Sequence, residues 1–438
     1  MARRTIWVDC EDCAHAAGPG ESQRIAFALT RALLQQAGTD RIRLVRQAGG
    51  SLREVPWTEV EAAYRQRPDP TPVALDAETK EESGRVQAWL EALPPELGGP
   101  LARARLLQHH AARNWRDLAL ALRRRGSKAP PAVPQPAFEP AAIEPGDALL
   151  VLGVPWAVPG YAGLQRHAGL ASHLLLHDLV PIRHPEWCAK AQAARLEECL
   201  PLFDALIAGS RHTAEDVSAY ARERGLATGP VHRVPFGADL DASAEAPVPD
   251  ALPRPGSYAL IVSTIEARKN HALAVRVWRR LAEEVRTGQR APDSLPDLVF
   301  AGRVGCLVAD LLQQLENMRW LGGRIHLVPD PSEAELRALY QGCRFTIFPS
   351  WFEGWALPVA ESLAFGKPCL ASNAAAIPEA GGALCRYFDP GDTAGAYRAV
   401  ASLLDDPGGL ASWEDRIRAE FRPTRWSATA EAILELLA

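Results

Sequence analysis

The sequence predicts an α/β protein built from two doubly wound, mainly parallel sheets. Short apolar runs alternate with amphipathic helical patterns along most of its 438 residues. Runs that are apolar without interruption and separated by helices are typical of strands buried on both faces of a parallel sheet. A proline-rich segment in the second half of the chain separates two series of this alternation. The length also allows two domains that each bury a full core.

Ten strands are predicted, five in each series. Those of the first series are 5–9, 42–46, 148–152, 173–176 and 204–208, and those of the second are 258–263, 297–301, 324–328, 345–349 and 368–371. After the first strand, a helix is predicted over residues 23–36, with Ser22 as its N-cap and Gly38 beyond its end. Strands that alternate with helices in this way form a doubly wound sheet.

Two proline-rich segments define the predicted domain organisation. Residues 129–146 hold six prolines, which excludes a helix or a central strand and indicates a long surface loop. Residues 242–257 hold four prolines, and the strand–helix alternation starts again directly after them. The sequence therefore predicts an N-terminal domain over residues 1–245, a second domain over residues 255–420 and a terminal helix within residues 421–438.

Composition and charge exclude several classes of protein. Charged residues make up 23% of the chain and the net charge is −5, which excludes a disordered chain and argues against a nucleic-acid-binding protein. No apolar run is long enough to cross a membrane, and the run after the basic amino terminus is too short for a signal peptide. We therefore expect a cytoplasmic protein with reduced cysteines.

Three features leave alternatives open. The segment 103–128 carries eight Lys or Arg residues and one acid. One interpretation is a basic helix at the inner face of a membrane, which would face anionic lipid or a phosphorylated acceptor. The other is a helix whose charged face is simply solvated. Cys10 and Cys13 have the spacing of a metal or redox pair, but no second pair exists, so we expect an ordinary loop. Asp239 and Asp241 form an Asp-x-Asp pair to which we assign no metal.

The most informative segment follows the strand at 345–349. Glu353 lies in the loop after this strand, and Glu361 lies one turn inside the helix that Pro358 begins. Both carboxylates are thus predicted at the carboxyl edge of a parallel sheet, where open α/β sheets bind ligands. The first N–H groups of the helix suit a diphosphate, and the carboxylates suit sugar or ribose hydroxyls. On its own, the pair has an equally good structural explanation, with Glu353 as an acid near a helix start and Glu361 as a surface residue.

Two cations are predicted at the same edge. Arg268 and Lys269 follow the first strand of the second series, so they are expected to meet the two glutamates in one crevice. Two cations on a strand-to-helix loop can neutralise a leaving diphosphate without a metal. Together, the four residues predict a site for a diphosphate.

With these elements the chain resembles the family 4 retaining glycosyltransferases, which have the two-domain GT-B fold. The resemblance covers nearly the whole chain and is strongest over residues 258–385. The matching motifs are the Glu353–Glu361 spacing, Glu266–Asn270, His177–Pro181, Pro235–Asp239 and the terminal helix at 426–437, which in the family crosses back onto the first domain. The amino-acid sequences of these motifs are most similar to those of bacterial mannosyltransferases of surface polysaccharide assembly.

The resemblance implies a role for each matching residue of the donor side. Arg268 and Lys269 would hold the donor diphosphate, Glu353 the donor sugar, and Glu361 the nucleotide ribose. His177 would approach the reacting carbon from the other domain. The backbone N–H groups expected to help with the diphosphate are those of Gly354, Trp355, Ala356 and Leu357. Ala356 departs from the family, in which this residue is usually Gly, and Ala restricts the backbone more than Gly does.

Two further groups of residues are implied by the same resemblance. Gly302 and Arg303 lie where relatives hold the base of the donor. Gly18, Gly20 and Arg24 follow the first strand, where relatives place a glycine-rich loop near the acceptor. Only two glycines of that loop are kept here.

The implied activity is transfer of a hexosyl group from a nucleotide-sugar, with GDP-mannose favoured, to a glycan or lipid-linked acceptor. The implied mechanism is front-face substitution, in which the leaving phosphate takes the acceptor proton, and it needs no metal or other cofactor. A rhamnosyl, fucosyl or glucosyl donor and a nucleotide-sugar epimerase of the same fold remain alternatives. A nicotinamide oxidoreductase is disfavoured, because Gln23 stands where its fingerprint needs a third glycine.

Overall fold

The computed structural model describes residues 4–11, 13, 20–48, 51–65, 143–153, 169–188, 190–240 and 252–438. By compactness the chain separates into a unit of residues 1–66 and 137–438 and a second unit of residues 67–136. The second unit lies outside the described residues, and with it the basic segment 103–128. Gly18, Asp241 and most of the proline-rich segments at 129–146 and 242–257 also lie outside them.

The first half of the larger unit contains a seven-stranded sheet in the order β3–β2–β1–β4–β5–β6–β7. Its strands are β1 (Ile6–Asp9), β2 (Ile42–Ala48), β3 (Ser51–Glu54), β4 (Ala148–Val151), β5 (Ala171–Leu176), β6 (Ala205–Ala208) and β7 (Val231–Arg233). All neighbouring strands are parallel except β2 and β3. β1 and β4 are buried along their whole length, and all of their side chains except that of Asp9 are apolar.

The second half contains a six-stranded sheet that is parallel throughout. Its strands are β8 (Tyr258–Val262), β9 (Asp297–Ala301), β10 (Ile325–Val328), β11 (Phe345–Phe348), β12 (Cys369–Ser372) and β13 (Arg386–Phe388). The order is β10–β9–β8–β11–β12–β13, so the direction of strand addition reverses between β8 and β11. In doubly wound sheets, ligands bind at the carboxyl ends of the strands beside this reversal.

Helices cover both sheets. Those of the first half are α1 (Glu21–Ala37), α2 (Trp57–Arg65), α3 (Val180–Arg183), α4 (Lys190–Cys199) and α5 (Arg211–Arg224). Those that follow are α6 (His271–Arg286), α7 (Ala309–Asn317), α8 (Glu333–Gly342), α9 (Leu357–Ala364), α10 (Ile377–Gly381), α11 (Thr393–Asp405), α12 (Pro407–Glu420) and α13 (Trp426–Leu436). Within the described ranges, no helix combines the length and apolarity that a bilayer span requires.

The last helix, α13, lies on the first half of the unit although it follows the second sheet in the chain. It packs against α1. The Trp426 N–H donates a hydrogen bond to Asp239 Oδ1 at 2.8 Å, and the Thr429 hydroxyl donates to the Pro235 carbonyl at 2.8 Å. Gly237 lies directly against Trp426, where a side chain would overlap the helix start. Asp239, one member of the Asp-x-Asp pair, thus helps to anchor α13.

The structure confirms all ten predicted strands, with ends that differ by at most two residues. The three strands that were not predicted are β3, β7 and β13, which are edge strands of three or four residues. The predicted N-cap of α1 was wrong, because the helix begins two residues earlier and Gly20 is its N-cap. Gly20 has the extended backbone of an N-cap residue, and the Ser22 hydroxyl donates to the Gln23 side chain instead.

Candidate functional site

The candidate site lies at the carboxyl ends of β8 and β11. After β8 the chain makes a single 3₁₀ turn over Ala267–Lys269 before α6 begins. Asn270, in the left-handed conformation at the end of this turn, donates its side-chain amide to the carbonyls of Pro349 and Pro390, each at 3.1 Å. These bonds join the loop after β8 to the loop after β11, at Pro349, and to the loop after β13, at Pro390.

The structure brings Glu353 together with both predicted cations. Arg268 Nη1 donates to Glu353 Oε2 at 2.7 Å, and Lys269 Nζ lies 2.7 and 2.9 Å from the two oxygens of the same carboxylate. Only 4% of the Lys269 side chain and 4% of the Glu353 side chain are exposed. Arg268 also pairs with Glu266 at 3.0 Å. Both cations predicted for a diphosphate therefore carry carboxylate partners in this structure.

The charges of these carboxylates keep the two cations protonated. Burial alone lowers the pKa of Lys269, but the negative charges of Glu21 and Glu353 outweigh it, so the pKa lies above its ordinary value. Burial likewise lowers the pKa of Arg268, and the charges of Glu353 and Glu266 raise it above the ordinary value. The site thus holds two permanent positive charges in a nearly dry environment.

The start of α9 supplies backbone donors beside these cations. Ala356 precedes the helix with φ 91° and ψ 57°, a left-handed conformation that costs an alanine more than a glycine. The departure from the family at this residue therefore coincides with a strained backbone. The first helical N–H, that of Leu357, points out of the helix and donates to Glu21 Oε1 at 3.0 Å. α9 is buried from Leu357 to Leu363.

Glu21 is a site residue that the sequence analysis missed. Its other oxygen, Oε2, accepts a hydrogen bond from Lys269 Nζ at 3.1 Å, so one carboxylate bridges Lys269 and the start of α9. Burial raises the pKa of Glu21, but the charge and hydrogen bond of Lys269 outweigh it, and the pKa is lowered overall. The available signal was an acid in the first turn of a helix directly after Gly20, which is also typical of an ordinary helix start.

Arg24 lies on the donor side of the site. Its guanidinium forms an ion pair with Glu361, whose side chain is 1% exposed. The Tyr340 hydroxyl donates to Glu361 Oε2 at 2.9 Å. Burial raises the pKa of Glu361 even beside Arg24. The structure therefore joins a residue predicted for the acceptor to the residue predicted for the ribose.

His177 meets the second half of the unit at Gly354. The His177 carbonyl lies so close to Gly354 that any side chain there would overlap it. The Thr213 hydroxyl donates to the Gly354 carbonyl at 3.0 Å, which adds a hydrogen bond to this contact. The His177 ring packs edge-on against Phe236, and its buried Nε2 has no hydrogen-bond partner within the described part of the chain.

Trp355 and the residues predicted for the base complete the site. The Trp355 ring is edge-on to Phe236, with 6.3 Å between ring centroids. Gly302 follows β9 at φ 152°, and a side chain there would overlap the Ser263 carbonyl. The Arg303 guanidinium lies beside Gly20, at 3.1 Å from where a Cβ of residue 20 would be. One residue predicted for the base and one predicted for the acceptor are thus neighbours.

Metal and thiol chemistry have no evident centre in the described residues. No group of three or more His, Cys, Asp or Glu side chains there is arranged to hold a metal ion. Cys10 and Cys13 are buried free thiols near the Thr30 hydroxyl. Burial raises the pKa of Cys10 well above its ordinary value, which disfavours the reactive thiolate.

The family of the second half follows from comparison with known proteins. Residues 256–406 match the family described as Glycosyl transferases group 1. This range holds the whole second sheet and the cations and glutamates of the donor side. Residues 256–406 are a glycosyltransferase group 1 domain.

Proteins similar to this chain include bacterial mannosyltransferases. Serotype-specific mannosyltransferase WbdA of Escherichia coli is 28% identical over 265 residues, which cover 55% of this chain and 31% of WbdA. O-antigen chain mannosyltransferase B of Escherichia coli is 31% identical over 159 residues, which cover 36% of this chain and 38% of that protein. The matched regions therefore span less than half of either relative.

Solved structures extend the likeness to both halves of the chain. HepE of Anabaena, solved with UDP and glucose, is 13% identical, with a TM-score of 0.60 over 99% of each chain. Sucrose-phosphate synthase of Thermosynechococcus elongatus is 17% identical, with a TM-score of 0.57 over 99% of this chain and 98% of that one. At such identities the likeness concerns the fold. It confirms the predicted GT-B fold of two α/β domains.

Replacement of Gly354 by Ala should disrupt the contact between His177 and the glycosyltransferase domain. The added methyl group overlaps the His177 carbonyl, so one of the two loops must move. We expect a loss of about 2 kcal/mol or more in the free energy of unfolding, measured by urea denaturation. Gly408→Ala is the matched control, because a Cβ there meets only Asp406 Oδ1, at 3.8 Å. Equal stability of the two variants would contradict the close contact.

Acid should destabilise the glycosyltransferase domain through His271. Burial and the nearby charge of Lys269 lower the pKa of His271 to about 3. The neutral ring therefore stabilises the fold fully above the unfolded pKa, and this stabilisation is lost as the pH falls below it. Between pH 7.0 and 5.5, the wild type should lose roughly 1 kcal/mol more unfolding free energy than His271→Gln. If urea denaturation shows that the wild type and His271→Gln lose the same unfolding free energy over this pH range, His271 is not the group responsible.

Proposed function

We propose that the protein transfers a hexosyl group from a nucleotide-sugar to a glycan or lipid-linked acceptor in the synthesis of a surface polysaccharide. The observation that carries this proposal is the anion held at the start of α9. Lys269 Nζ and the Leu357 N–H together bind the carboxylate of Glu21. A cation and a helix N–H that bind a carboxylate offer the same hydrogen bonds to a phosphate oxygen.

Mannose is the sugar that we propose for the donor, carried by GDP. The support comes from the two Escherichia coli relatives of the glycosyltransferase domain, both named as mannosyltransferases. One of them is named for the O-antigen chain, which supports a polysaccharide acceptor. We propose that the protein acts in the cytoplasm at the inner face of the membrane, with the basic segment 103–128 as its contact with anionic lipid.

The proposed mechanism retains the configuration of the transferred sugar. Arg268, Lys269 and the start of α9 stabilise the negative charge that develops on the leaving diphosphate. The leaving phosphate takes the proton of the acceptor hydroxyl, so the protein supplies no nucleophile. With two buried cations at the diphosphate, the reaction proceeds without a metal. Glu353 and Glu361 accept hydrogen bonds from hydroxyls of the donor, and His177 Nε2 contacts the donor sugar.

A thermal-shift screen tests this function. The purified protein is heated with GDP, UDP, GDP-mannose, UDP-glucose, dTDP-rhamnose or NAD, each with and without a chelator. We expect GDP and GDP-mannose to raise the unfolding midpoint in both conditions, since a ligand at 100 times its Kd adds about 2.7 kcal/mol. Stabilisation by NAD and by none of the nucleotides that carry sugars would contradict the proposal.

Replacement of His177 by Gln should lower turnover more than donor affinity. We assign the His177 Nε2, which has no hydrogen-bond partner among the described residues, to the reacting sugar, and we assign the diphosphate to other residues. We expect kcat to fall about tenfold or more while the Kd of GDP changes less than threefold, as measured by a GDP-release assay and by calorimetry. His326→Gln, on the partly exposed strand β10, is the control. A larger effect on GDP affinity than on kcat would refute this role.

A further inference from the structure

The first turn of α1 reaches from the first half of the unit into the donor side of the glycosyltransferase domain. Glu21 contacts Lys269 and the Leu357 N–H, and Arg24 pairs with Glu361. The two side chains are three residues apart, so they lie on the same face of the helix. Gly20, the N-cap, has no side chain with which to cap α1. The two ion pairs therefore hold the first turn where a capping side chain is absent.

Glu21 occupies the position that the proposed function assigns to a phosphate. Its two oxygens take one hydrogen bond each from the two donors that a phosphate would use. A second anion cannot share those donors, because the Leu357 N–H is a single donor and the Lys269 ammonium already faces Glu353 as well as Glu21. The two negative charges would also repel each other. Binding of a diphosphate therefore requires Glu21 to leave.

The exposure of the two partners shows which one can move. Lys269 is 4% exposed and stays bound to Glu353 without Glu21, whereas 24% of the Glu21 side chain is exposed. Glu21 is therefore the partner that can rotate toward solvent, while removal of Lys269 would leave a buried carboxylate without its nearest cation. The carboxylate, not the ammonium, is the group that exchanges.

We propose that Glu21 is an internal counter-anion that fills the diphosphate position in the absence of donor and is displaced when the donor binds. This inference rests on the proposed function, since it concerns the same site. Displacement breaks the Glu21–Lys269 ion pair, which is one of the two that hold the first turn of α1. Donor binding is thereby coupled to movement of a helix that belongs to the other half of the unit.

The same exchange makes the site selective for ligands with several anionic groups. A monovalent anion would only replace the charge of the Glu21 carboxylate by its own, so it would gain little binding free energy. A nucleoside diphosphate brings two phosphates and the ribose hydroxyls, which together contact Lys269, Arg268 and Glu361. It therefore displaces Glu21 where a lone anion does not.

The test is the affinity of nucleoside diphosphates for variants of Glu21, measured by calorimetry with GDP, UDP and dTDP. In Glu21→Gln the competing side chain is neutral, so we expect the nucleotide that binds the wild type to bind about tenfold more tightly. In Glu21→Asp the charge remains but the shorter side chain cannot reach both donors, so an intermediate gain is expected. Glu431→Gln, an exposed change on α13, is the control and should leave affinity unchanged.

The outcomes separate this inference from the function on which it rests. Unchanged or weaker nucleotide binding by both Glu21 variants would overturn the role of Glu21 as a counter-anion and leave the proposed function intact. Failure of all three nucleotides to bind the wild type and every variant would overturn the proposed function itself. Circular dichroism checks that each variant is folded. If Glu21→Gln does not fold, the result for Glu21→Asp still decides the test.

Discussion

The buried ion pair between Lys269 and Glu353 is the interaction on which the rest of the site depends. Each side chain is 4% exposed, so loss of either partner would leave a buried charge without its nearest counter-charge. Arg268 binds the same carboxylate, and Glu21 binds the same ammonium. The pair thus joins the loop after β8, the loop after β11 and the first turn of α1. Its cost in desolvation is offset in part by the charge-assisted hydrogen bonds that Arg268 and Lys269 donate to Glu353 Oε2.

This arrangement explains how a charged site can exist without a ligand. Two cations alone in a dry crevice would be unstable, and carboxylates from both halves of the unit compensate them. On our proposal, a donor diphosphate would replace a resident carboxylate rather than fill an empty positive pocket. Close backbone contact at Gly354 and the ion pair of Arg24 with Glu361 hold the two halves together around this exchange. On this proposal, donor binding and the contact between the two halves of the unit depend on the same group of ion pairs.

Much of the fold could be predicted because its central strands are apolar on both faces. The edge strands β7 and β13 could not, since they are three residues long and partly exposed, which leaves no clear period. The meeting of Arg268, Lys269 and Glu353 followed from a rule about the carboxyl edge of parallel sheets. The partners Glu21 and Arg24 followed from no such rule. Glu21 is 336 residues away from Leu357, and their contact depends on how α1 meets α9.

The most direct measurement is a crystal structure of the protein with the nucleoside diphosphate that stabilises it most. The account predicts a phosphate oxygen within hydrogen-bond distance of Lys269 Nζ and the Leu357 N–H, with the Glu21 carboxylate turned away from both. A diphosphate bound elsewhere, with the bridge from Glu21 to Lys269 and Leu357 intact, would contradict the account.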